Sequence, residues 1–292
     1  MKKKRPKIST HIYDGGKGLA EIMRDKLTAI SQDMITQVMS KARRLTPSQK
    51  LQALKGLTPR GVLDYKDALK TALSVMSLDA LDHVRLEIPK AKNVRFFEAL
   101  DSITLAEFDK LPTNLQKKIK TQTNLLVGKQ IGDLQKIIEF AYTTAEEETD
   151  SMDQVQADLN DSAIGWLDST SMEAGAELTA ANTINSARSA FFFEPDVLEQ
   201  IEAFQFNNND PVTPICEDLA GKIFGKDEPS MDFWPPLHWN CKSYITVVLV
   251  GNLDSALKKS GQDGIEKLKP SKASLEDDIQ FSDYIHKHCS NH

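Results

Sequence analysis

The residues of this chain best suited to chemistry lie close together in its C-terminal half. Two of the three cysteines, Cys216 and Cys241, and one of the six histidines, His238, occur between positions 216 and 241. Thiolate and imidazole are ligands that zinc prefers, and a two-residue gap lets His238 and Cys241 reach one ion from a tight turn. The same residue types supply the nucleophile and base of thiol hydrolases. This segment can therefore bind a metal, act as a catalyst or serve only to fold a module.

The pattern favours the structural role over the two chemical ones. Cys216, His238 and Cys241 are the candidate zinc ligands, but structural zinc sites usually have two turns with paired ligands and this segment has one. In the structural interpretation, the cysteines are small buried hydrophobes and His238 hydrogen-bonds loop backbone. In a third interpretation, Cys216 and Cys241 touch and oxidise outside a reducing cytoplasm. Thiol catalysis is disfavoured because Pro214 and the Pro235–Pro236 pair indicate rigid architecture.

Two further segments carry weaker signals. The chain begins with a basic run whose members are candidate nucleic-acid contacts: Lys2, Lys3, Lys4 and Arg5. Residues 14–18 (Asp-Gly-Gly-Lys-Gly) follow no predicted strand and lack the spacing of a phosphate-binding loop, so we interpret them as a turn.

Helical patterns fill most of the chain, and strand patterns occur only towards its end. Apolar residues recur three or four apart in 19–39, 112–142 and 152–192, which predicts amphipathic helices. Residues 201–206 and the β-branched run 242–250 favour strands. The expected fold class is α+β, mostly α, with a helical N-terminal half and long helices leading into a small, loop-rich module that contains the β-structure.

Composition and charge divide the chain into regions of different character. Residues 1–150 contain 26 Lys and Arg against 19 Asp and Glu, whereas residues 151–292 contain 10 against 23. Such asymmetry suits a protein that lies between an acidic and a basic partner. The sequence contains no run of eighteen apolar residues, so it predicts no membrane span. The regions expected are a basic flexible tail (1–18), a helical region (19–150), a module of helices followed by a small β-element (151–250) and a polar tail (251–292).

The C-terminal motif resembles that of the Mu F-like family of phage head morphogenesis proteins. The family pattern is roughly Asp-x-Arg-Thr/Val, a Cys, Leu-Asp-Gly-Lys-x-Phe, and then Pro-Pro-x-His-x-x-Cys-Arg-Cys. The matching positions here are Asp210, Cys216, Leu219, Gly221, Phe224, Pro235, Pro236, His238 and Cys241. The helical segment that ends Thr183-Ile-Asn-Ser-Ala-Arg188 is similar to the family's approach to this motif. Val212, Ala220 and Ser243 depart from the pattern, and Ser243 replaces its last Cys.

The resemblance, which covers about residues 160–250, implies a function. It implies a minor head protein that binds the portal vertex and assists head morphogenesis or DNA packaging. A further expectation is that the protein stays in the virion and leaves it together with the DNA. The implied partners are the portal protein, a scaffolding or major capsid protein, and phage DNA, with no membrane. The implied location is the virion head near the portal, after synthesis in the bacterial cytoplasm.

We expect no enzymatic activity and no cofactor. If the chain does bind a cofactor, the candidate is zinc. Two other functions remain open. One is a metal- or thiol-dependent enzyme that uses Cys216, His238 and Cys241. The other is a DNA-binding protein inside the head.

Overall fold

A computed structural model describes residues 8–42, 57–88, 108, 111–148, 151–208, 213–226, 234–235, 237 and 241–265. Helices dominate these ranges and three short strands form one sheet, which confirms the predicted mostly α, α+β class. The elements are α1 (Ile8–Ala42), α2 (Val62–Glu87), α3 (Thr113–Glu148), α4 (Met152–Leu167), α5 (Thr170–Phe192), α6 (Pro195–Leu198), β1 (Ile201–Asn207), α7 (Pro214–Leu219), β2 (Ile223–Gly225), β3 (Tyr244–Leu249) and α8 (Leu253–Ser260). Among the described helices, none has the length and apolar composition needed to cross a bilayer.

The glycine-rich segment 14–18 is helical, contrary to the predicted turn. Helix α1 begins at Ile8 and continues through these residues, so part of the predicted flexible tail is ordered helix. A Cβ placed on Gly16 would lie 2.8 Å from the Cα of Glu177 on α5. Glycine is therefore needed here for close approach of two backbones rather than for a change of chain direction. Residues 1–7, with the candidate nucleic-acid contacts Lys2–Arg5, lie outside the described residues.

The helical pattern over 152–192 forms two helices rather than one. Helix α4 ends at Leu167, and α5 begins at Thr170 after a short break. The Ser169 hydroxyl donates to the carbonyl of Trp166 at 2.6 Å, which satisfies one of the acceptors left over at the end of α4. No Gly or Pro marks this break, so the apolar periodicity alone does not reveal it.

The chain divides into two compact units that do not follow the predicted regions. The first unit comprises Met1–Lys17, Leu73–Gln116 and Ala174–His292, and the second comprises Gly18–Ala72 and Lys117–Glu173. The divisions fall inside α1, α2, α3 and α5. A boundary inside a continuous helix has no irregular linker to mark it, which explains why composition does not reveal it.

The described residues of the second unit form helices and the connections between them, with no strand. A buried polar chain crosses its interior: the Tyr65 hydroxyl donates to Oε1 of Gln130, whose Nε2 lies 3.6 Å from the sulfur of Met172. Burial raises the pKa of Tyr65, so its hydroxyl stays a proton donor. The buried face of α1 in this unit has the predicted helical spacing: Leu19, Met23, Leu27, Ile30, Met34 and Val38.

The first unit contains the sheet, an antiparallel arrangement in the order β2-β1-β3. An irregularity between Ile201 and Ala203 shifts the register with β3. One face of the sheet carries a cluster of small buried side chains, Ala203, Ile223 and Val248. Helix α8 covers this cluster with its apolar residues, which are Leu253, Ala256 and Leu257.

Candidate functional site

The two cysteines of the motif meet in the first unit, on the segments that flank the sheet. Cys216 lies on α7 and Cys241 lies three residues before β3. Their sulfur atoms are 3.8 Å apart, both residues are 1% exposed, and no disulfide joins them. The hydroxyl of the fully buried Ser243 donates to the Cys216 sulfur at 3.2 Å. The position where the family pattern has its last Cys therefore lies beside the sulfur pair.

Helix α5 holds the start of β3 through two buried polar side chains. The amide nitrogen of Asn185 donates to the carbonyl of Ser243 at 3.1 Å, and Nη2 of Arg188 donates to the carbonyl of Ile245 at 2.8 Å. Both side chains are 1% exposed. Because the two donors are three residues apart, they lie on the same face of the helix. One contacts the residue just before the edge strand β3, and the other contacts the second residue of that strand. The helix segment that resembles the family's approach thus carries the contacts to the motif strand.

Arg188 also binds a carboxylate from a distant part of the sequence. Its Nη2 lies 2.8 Å from the carboxylate of Glu87, near the end of α2, and its guanidinium carbon lies 5.1 Å from the ring centre of Phe192. Burial raises the pKa of Glu87, and the facing guanidinium offsets part of that rise. A buried Arg needs such a partner because an unpaired charge in the interior is strongly destabilising.

The glycine and apolar positions of the motif have structural roles. Gly221 has φ of 81°, a conformation that L-residues with a side chain rarely adopt, and its amide donates to the carbonyl of Phe206 at 2.8 Å. This turn leads from α7 into β2. Leu219 is fully buried, and the Phe224 ring centre is 5.8 Å from that of Phe204 on the neighbouring strand.

The described part of the Trp-Pro-Pro segment closes an aromatic cluster. Trp234 lies with its ring centre 5.5 Å from those of Phe193 and Phe204, the latter in an edge-on arrangement. Pro235, which follows it, is buried. Offset and edge-on aromatic pairs contribute stability beyond the area they bury. The cluster covers the sheet face opposite to the one that α8 covers, because Phe204 and Ala203 point to opposite faces.

The surroundings of Cys216 suit a thiol better than a thiolate. The neighbouring Cys241 thiol and burial both raise the pKa of Cys216, and the Ser243 hydroxyl only partly opposes them. A reactive cysteine usually lies in an accessible, electropositive environment that lowers its pKa. This site has the opposite character, so it does not favour Cys216 as a nucleophile near neutral pH.

The sulfur pair has the spacing of two zinc ligands, but the rest of a ligand set is not seen. Two thiolates about 2.3 Å from one ion in tetrahedral geometry are about 3.8 Å apart. Among the residues that the structure describes, no group of three or more His, Cys, Asp or Glu side chains is arranged to hold a metal. The predicted third ligand, His238, lies outside the described residues. Asp210 and Pro236 also lie outside them.

Sequence reasoning did not identify Glu87 as a member of this site. It is 101 positions from Arg188, and no local pattern connects the two residues. The one available signal was Arg188 itself, a charged residue on the apolar stripe of α5, which implies a buried acceptor or carboxylate nearby. Asn185 carries the same signal one turn earlier.

The chain matches no known protein family, no curated protein and no solved structure in the three comparisons made. The resemblance to the Mu F-like family therefore rests on the motif residues themselves.

Proposed function

We propose that this chain is a minor head protein of the Mu F-like type, which binds the portal vertex of a phage head and assists head morphogenesis or DNA packaging. In this proposal the cysteine-containing motif folds the C-terminal module and performs no chemistry. The portal, and with it a scaffolding or major capsid protein and the packaged DNA, are the partners.

One observation carries the proposal: the described members of the motif have structural environments. Gly221 makes a turn that needs glycine, Leu219 is buried, and Cys216 is buried against Cys241. Residues with such roles are expected in a folding signature, since each is required by packing or backbone geometry. A catalytic constellation would instead need accessible groups with shifted pKa values suited to proton transfer.

The thiol-enzyme alternative receives less support from the same residues. A thiol hydrolase requires a base within hydrogen-bond reach of a cysteine that is readily ionised. The raised pKa and burial of Cys216 oppose ionisation. The Ser243 hydroxyl, which donates to the Cys216 sulfur, cannot act as a general base near neutral pH.

The proposal is tested by the protein composition of assembled heads. Particles at each assembly stage are purified from a phage-producing cell that carries this gene, and the chain is quantified by mass spectrometry against the major capsid protein. We expect the chain in heads at a few copies per particle, and heads made without it to be defective in assembly or DNA content. A chain that is abundant in the cell but absent from particles at every stage contradicts the proposal.

A matched variant separates the scaffold from the thiol enzyme. Cys216→Ala removes the sulfur and adds no polar group, and its fold is checked by circular dichroism and thermal unfolding. If the motif is structural, a folded Cys216→Ala chain supports normal particle yield. Loss of function in a variant with an unchanged fold would favour the enzyme instead.

A further inference from the structure

The buried sulfur pair is placed for a covalent reaction that the proposed function does not require. Cys216 and Cys241 are 3.8 Å apart at their sulfurs, whereas a disulfide needs about 2.0 Å. The remaining gap closes if each sulfur moves by about 0.9 Å, which small side-chain rotations supply. The two thiols lie on separate segments, α7 and the approach to β3, so a bond between them would join parts of the module that are 25 positions apart in sequence.

We propose that Cys216 and Cys241 are a redox-sensitive pair that forms an intramolecular disulfide when the chain meets a low-molecular-weight disulfide oxidant. The bond locks α7 to the start of β3, and a thiol reductant reverses it. This inference is independent of the proposed function, because it rests on the two sulfurs and their neighbours alone.

The reaction balances as two successive thiol–disulfide exchanges. After local opening, the Cys216 thiol loses its proton and the thiolate attacks one sulfur of the oxidant; the oxidant's S–S bond breaks, and its other half leaves and takes up that proton. The Cys241 sulfur then attacks Cys216 in the mixed disulfide and expels the second half, which takes up the Cys241 proton. The chain loses two hydrogens and two electrons, and the oxidant becomes two thiols.

In the closed state the neighbouring Cys241 thiol and burial keep the pKa of Cys216 raised, so a thiolate forms for the first attack only when the segment opens locally. Burial of both thiols makes the exchange slow in a reducing cytoplasm and dependent on local opening of the segment. The pair then stays reduced during synthesis and oxidises on longer exposure to an oxidising medium.

The disulfide accounts for the geometry with fewer groups than a metal site needs. A structural zinc site requires four ligands, and the described residues bring two sulfurs together with a serine hydroxyl. A disulfide requires the two sulfurs only. The experiment below distinguishes a bound zinc ion from the disulfide.

The experiment uses the full chain, purified with reductant, freed of it and incubated with oxidised glutathione. Peptide mapping without reduction is expected to show one peptide pair that links Cys216 to Cys241, with a mass about 2 Da below that of the two free peptides. We expect thermal unfolding to shift upward by about 5–10 °C on oxidation, because the bond closes a loop of moderate length in the unfolded chain. Added reductant reverses both changes.

Two variants serve as controls. Cys289→Ser removes the third cysteine and is expected to give the same link and the same thermal shift. Cys241→Ala is expected to give neither. If Cys241→Ala does not fold, the comparison of oxidised and reduced wild-type chain still decides the question.

Four results overturn the proposal. The first is stable glutathione adducts on Cys216 or Cys241 without a link between them. The second is a link that involves Cys289. The third is a link that forms only after unfolding in urea. The fourth is one zinc ion per purified chain that protects both thiols from oxidation.

Discussion

Arg188, on α5, joins α2 and β3 in the first unit through polar contacts. Its Nη2 contacts Glu87 and the carbonyl of Ile245, and the whole side chain is 1% exposed. Within the described part of the chain, its Nε and Nη1 have no hydrogen-bond partner. A buried cation that makes only some of its possible hydrogen bonds contributes little net stability. Removal of the cation nevertheless destabilises the fold, because its former partners stay buried without a hydrogen bond. We therefore interpret Arg188 as a residue that specifies which strand and which helix meet.

Replacement of Arg188 tests this interpretation. Arg188→Met is expected to lower the free energy of unfolding by about 3–5 kcal/mol, because Glu87 and the Ile245 carbonyl lose their partner. Urea denaturation followed by circular dichroism measures the change. Arg24→Met is the control, since Arg24 pairs with exposed Asp168 and should change the free energy by less than about 1 kcal/mol. Equal effects of the two substitutions would show that Arg188 has no special role.

The pH dependence of stability tests the balance at Glu87. Because burial raises its pKa, the folded protein holds the Glu87 proton to a higher pH than the unfolded chain does. The stability contributed by Glu87 is then fully present at a pH below the pKa of this carboxyl in the unfolded chain, about 4.3. It is lost as the pH rises through the higher pKa of the folded protein. The free energy of unfolding of wild type minus that of Glu87→Gln should therefore fall as pH rises above about 4. A difference that rises with pH would show that attraction to Arg188 outweighs burial.

The turn at Gly221 is sensitive to any side chain. Its φ of 81° is strained for an L-residue with a Cβ, although the space around it is open. Gly221→Ala is expected to lower the free energy of unfolding by about 1–2 kcal/mol. Chemical denaturation measures it, and Gly165→Ala is the control, since Gly165 lies in α4 with open space around it and should gain stability. A neutral Gly221→Ala would mean that the turn relaxes to another conformation.

At the level of elements, the meeting of α1 and α5 depends on a glycine. A Cβ on Gly16 would overlap the backbone of Glu177, whereas a Cβ on Gly18 would meet nothing within 4 Å. Gly16→Ala is expected to destabilise the protein, because two backbones must move apart. Gly18→Ala should stabilise it by up to about 1 kcal/mol through helix propensity. Thermal unfolding of both variants checks the pair, and stabilisation by Gly16→Ala would contradict the described packing.

The elements themselves were largely predictable, and the exceptions have physical causes. Periodicity correctly indicates α1, α3 and both long strands, because burial of one face imposes the spacing. It fails at Gly16, where glycine serves packing rather than a turn. It also fails at Ser169, where a side-chain hydroxyl ends a helix without Gly or Pro.

The candidate site was predictable only in part for a related reason. Spacing brings Cys216, Gly221 and Cys241 into one module. The contact between Arg188 and Glu87 is a product of tertiary structure, and a single sequence does not encode it in any local pattern.

At the scale of the whole molecule, the predicted regions do not match the two units. Each unit draws on both halves of the sequence, since Leu73–Gln116 belongs with Ala174–His292. A truncation that removes residues 1–110 would delete parts of both units and disturb folding. Point substitutions are therefore the better probe of a partner surface. The second unit exposes large apolar side chains that are candidates for such a surface, and they are Leu63, Leu125 and Phe140.

The most direct test of the proposed function is capture of the portal protein. The chain and the portal protein of the same genome are co-expressed, and the portal is purified by affinity and then by size exclusion. We predict that the chain elutes with the assembled portal, that Phe140→Ser weakens this association, and that Val250→Ser, an exposed site in the first unit, leaves it unchanged. A chain that elutes alone beside an intact portal would contradict the account.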